Sequence, residues 1–101
     1  MPITVEWQET ESTIRLEGDL NITCATELKS TVLKCLASGK TLMCDLRRAE
    51  TIDVSILQLL WTAGREAARA GTGIASRWSE AAALAAKDAG FETFLAPEHY
   101  H

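Results

Sequence analysis

The chain has 101 residues, 47% apolar and 24% charged, with ten basic against fourteen acidic side chains and a formal charge of −4. That length allows one domain with one modest core, and the mild acidity argues against a nucleic-acid footprint, which needs clustered Lys and Arg. Arg47-Arg48 is too small a cluster to supply one.

The N-terminus, Met1-Pro2-Ile3-Thr4-Val5-Glu6, lacks the basic start and apolar run of a signal peptide. No apolar segment approaches the roughly 20 residues needed to cross a bilayer. The chain is therefore expected in the cytoplasm, without direct membrane insertion. Cys24, Cys35 and Cys44 form no C-x-x-C pair and sit within apolar patterns, so they read as buried hydrophobes rather than metal or redox groups.

Ile3-Thr4-Val5-Glu6-Trp7 and Thr13-Ile14-Arg15-Leu16-Glu17 each alternate apolar and polar residues. With the polar turn Glu9–Ser12 between them they predict a β-hairpin that ends at Gly18-Asp19. Thr23 is the expected N-cap of a helix running to about Ala37, with Ala25, Leu28, Val32, Cys35 and Leu36 on its core face and Ser38-Gly39 as its stop. Leu42–Leu46 fits a short buried strand, although on periodicity alone so brief a run fits a helix too. Asp53 begins a second helix that ends near Ala70-Gly71. Ile74-Ala75 is the centre of a fourth strand, and Ser79 caps a third helix through Ala89, closed by Gly90. Phe91, Phe94 and Leu95 suggest a last packed segment before a loose tail over 96–101. The order β-β-α-β-α-β-α implies an α/β fold: a small mixed sheet of four to five strands, partly parallel, with three to four helices packed on it in a single domain over 1–101.

The second helix carries more apolar surface than one sheet can cover. At about 100° per residue, Leu57, Leu60, Trp61, Gly64, Ala67 and Ala68 share one arc, the expected core face. Ile56, Leu59 and Ala63 share another. Either a neighbouring helix covers that second stripe within the fold or a partner does. The sequence leaves both open.

No enzymatic constellation is present. Gly71-Thr72-Gly73 is too short for a phosphate loop, and no helix follows it. Asp45 and Asp53 have no histidine, lysine or serine placed by motif to join them, and His99 and His101 lie at the chain's end. No cofactor is expected.

Leu16-Glu17-Gly18-Asp19-Leu20-Asn21, then Asp45-Leu46, then Ile52–Leu60, then Ser79 eleven positions before Gly90-Phe91 together resemble the STAS domain family. This is the module shared by anti-sigma factor antagonists and the cytoplasmic tails of sulfate transporters. The resemblance spans about Ile3 to Leu95. It implies a protein-interaction domain that binds its partner at the start of the second helix, where typical members carry Asp, a phosphorylatable Ser or Thr, a small residue and Gly. Phosphate there adds nearly two negative charges at a helix N-terminus and switches docking.

This chain departs from that pattern at the switch. Asp53 matches the family's Asp, but Val54 stands at the phosphoacceptor position and Ile56 replaces the usual Gly. Asn21 sits where the family often has Asp. Ser55, one residue on, is a displaced phosphoacceptor candidate, turned by about 100° from the usual position. The resemblance thus implies a partner surface of Asn21, Asp53, Val54, Ser55, Ile56 and Leu59. The partner is an anti-sigma, kinase-like or chemotaxis-linked regulatory protein of a bacterial-type pathway. Alternatives are the ATPase subunit of a membrane-transport complex or a small ligand such as a nucleotide, and a homodimer is compatible with all of these.

Overall fold

A computed structural model describes residues 3–90, together with the backbone of His99–Tyr100. Strand β1 (Ile3–Trp7) pairs antiparallel with β2 (Glu11–Leu20), bringing Ile3 opposite Leu16 and Trp7 opposite Ser12. A 3-10 turn (Ile22–Cys24) leads into α1 (Ala25–Ala37). Strand β3 (Thr41–Ile52) then pairs parallel with β2. Helix α2 (Val54–Ala70) crosses to β4 (Ile74–Trp78), parallel to β3, and α3 (Glu80–Asp88) follows. A two-residue β5 (His99–Tyr100) extends the sheet along β4, giving the order β1-β2-β3-β4-β5. This is the mixed α/β architecture expected. The packed segment expected at Phe91, Phe94 and Leu95 lies outside the described residues, as does the tail apart from the backbone of β5.

The core lies between the sheet and its helices. Ile14, Leu16, Cys44 and Leu46 from β2 and β3 meet Leu28 and Val32 of α1 and Leu57 and Leu60 of α2. Alternate residues of each strand point the other way, as the pleat requires. All three cysteines are free and buried. Burial, and secondarily the neighbouring Cys35, pushes the Cys44 thiol up to about 12, so it packs as a small hydrophobe.

Four local expectations are corrected. The turn after β1 is shorter than expected, since β2 already begins at Glu11 and Ser12 is buried. At its other end β2 does not stop at Gly18 but runs to Leu20, because Gly18 takes φ +74° where the ladder with β3 shifts register. A residue without Cβ tolerates that conformation inside a strand. β3 likewise continues past Leu46 to Ile52 although Arg47, Arg48, Glu50 and Thr51 are polar. Its backbone pairs with the extended β2, and side-chain patterning cannot report that. Finally, Thr23 does not cap α1. Asn21 caps the 3-10 turn instead, its side chain accepting from the Thr23 amide at 3.0 Å, and the Thr23 hydroxyl also donates to Asn21.

Other expected caps are in place. Ser79 accepts from the Ala82 amide at 3.0 Å and donates to the Ala49 carbonyl at 2.9 Å, tying the start of α3 to β3. Gly71 closes α2 in the left-handed region at φ 77°, the usual task of glycine at that position.

Candidate interaction site

The parallel strands β2 and β3 end side by side, and each delivers the chain to a helical N-terminus. The Asp53 amide donates to the Leu20 carbonyl at 2.8 Å, so the two exits are held together. Around this junction Asp19, Leu20, Asn21, Thr51, Ile52 and Asp53 line an open depression of about 240 Å³. The Thr51 hydroxyl donates to Asp19, and the Asn21 side-chain amide approaches the other Asp19 oxygen at 3.4 Å. A polar girdle thus fixes both loops.

Asp53 has the extended backbone of an N-cap. Its carboxylate accepts from the Ser55 amide at 2.9 Å and from the Ser55 hydroxyl at 2.7 Å. These two bonds, the hydroxyl's first, hold the Asp53 carboxyl below the usual carboxylate range. Asp53 therefore stays charged at neutral pH, at the positive end of the α2 dipole. Ser55 is half-buried and spends its hydroxyl proton on Asp53.

Val54, between them, is 48% exposed, and Ile22 on the neighbouring loop is 66% exposed. These two aliphatic side chains form the apolar part of a lip whose polar part is Asn21, Asp53 and Ser55. Of the predicted surface residues, Asn21, Asp53, Val54 and Ser55 are brought together here.

Ile56 and Leu59 behave differently. The resemblance places Ile56 on the partner surface, but it is fully buried in the core, so no partner reaches it in this fold. Leu59 is half-buried against the core at the margin. The buried residues of α2 are Ile56, Leu57, Leu60, Ala63, Gly64 and Ala67, an arc rotated by roughly 45° from the expected one at about 100° per residue. Within the described fold α1 packs on α2 and the stripe that included Ile56 and Ala63 is covered. The same rotation turns Trp61 and Ala68 outward; Trp61 is 38% exposed, with the Arg65 guanidinium 4.7 Å from its ring centroid.

Sequence patterns missed Ile22, Asp19 and Thr51. Ile22 carries no motif, and its exposure follows from Asn21 capping one residue ahead of it. Asp19 and Thr51 meet only because the β2–β3 ladder extends beyond its apolar stretches.

Residues 3–88 match the family model described as "Mlab, STAS domain", and the chain belongs to the STAS domain family. Among solved structures it is similar to an anti-sigma factor antagonist from Mycobacterium paratuberculosis, with 18% identity and a TM-score of 0.81 over 97% of this chain and 83% of that one. It is also similar to the anti-sigma factor antagonist SpoIIAA in its unphosphorylated form, with 16% identity and a TM-score of 0.77 over 91% and 84% of the two chains. A chain from the complex of the diguanylate cyclase SiaD with its activator SiaC from Pseudomonas aeruginosa gives 21% identity and a TM-score of 0.64 over 98% and 90%. At these identities the likeness is one of fold. No curated protein matches the chain. Among the described residues no helix is long and apolar enough to cross a membrane.

Proposed function

We propose that this chain is a non-catalytic protein-interaction module of a cytoplasmic, bacterial-type regulatory pathway, docking its partner on the lip of Asn21, Ile22, Asp53, Val54 and Ser55, with Leu59 at the margin. The observation that carries this reading is the exposure of Val54, an aliphatic side chain held in water at the family's switch position. Full burial of such a side chain is worth roughly 1.5–3 kcal/mol, and a partner's apolar surface recovers the part that the half-covered Val54 still lacks. Val54 has no hydroxyl to accept a phosphoryl group, so docking is constitutive or governed by the partner's own state.

Ser55 is a poor substitute acceptor. A phosphate on its Oγ would face the Asp53 carboxylate at hydrogen-bonding range, and like charges so close repel. Intact mass before and after phosphatase tests this: a loss of about 80 Da, one phosphate group, would restore a switch at Ser55.

The depression beside the lip, about 240 Å³, falls below the roughly 300–1,000 Å³ usual for ligand pockets, which favours a protein partner over a nucleotide. Affinity capture with the wild-type chain and with Val54→Asp, from cells that make the protein, tests the reading. Capture of a kinase-like or other regulatory protein by the wild type, lost in the variant, is the expected result. Recovery of a transporter ATPase through the same lip would assign the chain to a transport complex instead. Equal recovery by both chains refutes the lip.

A further inference from the structure

Away from the lip, on the sheet face turned from α1 and α2, the strands carry a second charged assembly. In the ladder Arg15 of β2 stands opposite Asp45 of β3, but Glu17 stands opposite Arg48. β3 therefore holds one residue more than β2 across this interval, a bulge. Its effect shows in the burial: Leu46 and Ala49 are both inside, while Arg47 and Arg48 are both outside. Bulges re-aim side chains in this way, and here two consecutive arginines reach one surface.

The first arginine is anchored. Arg47 meets Asp45 as a fork, Nε to Oδ1 at 3.0 Å and Nη2 to Oδ2 at 2.9 Å. Asp45 is only 8% exposed and also accepts the Arg47 amide at 3.1 Å. Arg15 lies 3.7 Å from Asp45 through Nε and pairs with Glu6 at 2.6 Å through Nη1. The second arginine is not anchored: among the described residues Arg48 forms no ion pair, nor does Arg77, which the ladder aligns with Asp45. Arg15, Glu17, Asp45, Arg47 and Arg48 line an open depression of about 250 Å³.

Four of the six arginines of a chain with net charge −4 thus lie on three adjacent strands. Glu6 and Asp45 pair with Arg15 and Arg47, and Glu17 stands opposite Arg48, so the charge left on this face to attract an anionic partner is that of Arg48 and Arg77. The guanidinium fork matches a carboxylate with two parallel hydrogen bonds. We infer that the β3 bulge is a second docking point, which takes the carboxylates of an acidic segment of a partner protein, with Arg48 as the principal contact and Arg77, level with Asp45 on the adjacent strand, as a second one. It does not depend on the lip.

The test is fluorescence anisotropy of a labelled eight-residue polyglutamate peptide titrated with the full chain. Saturable binding that weakens with added salt is expected, and Arg48→Glu with Arg77→Glu should weaken it at least tenfold. Two controls make this specific. Lys29→Glu with Lys34→Glu makes the same charge change on exposed positions of α1 and should shift affinity less than twofold, and Val54→Asp should do the same. Absence of saturable binding overturns the proposal, as does equal weakening by the α1 pair, which would mean general charge attraction. Loss in Val54→Asp alone would place the peptide on the lip and overturn it equally. Sedimentation with phosphatidylglycerol vesicles is the last arm: Arg48-dependent vesicle binding without peptide binding replaces the protein segment with a membrane surface.

Discussion

Val54 and Ile56 stand two residues apart on α2, and nothing in their chemistry separates them; both are β-branched aliphatics. One is 48% exposed and the other is fully buried. The difference comes from where α1 and the sheet meet the helix. Ile56 belongs to the core cluster shared with α1 and the sheet, while Val54, in the first turn of α2, lies outside it. Apolarity in a helix therefore marks a docking surface only once its neighbours are known. The useful signal at this site is an aliphatic side chain that the fold leaves uncovered beside a charged cap.

Four measurements sharpen or break that contrast. The largest effect belongs to Ile56→Ala, which removes buried methyl groups and leaves a cavity, costing about 2–5 kcal/mol in urea unfolding. A cost under about 1 kcal/mol would mean that α1 does not seal the position. Next is Asp45→Ala, which strips the Arg47 fork of its anchor and should cost about 2 kcal/mol at neutral pH. The hydrogen bond from the Arg47 side chain, more than any other interaction, holds the Asp45 carboxyl below its ordinary range. A carboxyl lowered by folding contributes stability above its unfolded pKa and loses it as pH falls through the folded value. The gap between wild type and variant should therefore hold steady from pH 7 to about pH 5 and narrow below about pH 4.

Ser79→Ala comes third. It removes the cap of α3 and the bond to the Ala49 carbonyl, and about 1 kcal/mol is expected. The smallest effect on stability belongs to Val54→Asp, within about 0.5 kcal/mol as for other surface positions, although it abolishes partner capture. A variant that unfolds would show Val54 to be part of the core, and the contrast with Ile56 would collapse.

Much of the fold was legible because its cues are local. Alternation in Ile3–Trp7 and Thr13–Glu17, caps at Asp53 and Ser79, and glycine stops at Gly39, Gly71 and Gly90 each act within a few residues of chain. The site was legible in part, through Asn21, Asp53, Val54 and Ser55. The cover of the Ile56 stripe, left open by the sequence, comes from within the fold, where Ile56 is buried and α1 packs on α2.

By itself, then, the chain determined the order of its elements, the caps that start α2 and α3, and the absence of a hydroxyl at position 54, since periodicity, capping and residue identity need no distant contact. Tertiary structure decided which arc of α2 is buried, that Ile22 joins Val54 in the open, that β2 and β3 run on through polar residues, and that Arg47 and Arg48 emerge together. Each depends on strand register or helix packing, and those are settled only when segments far apart in the chain compete to cover the same apolar surface.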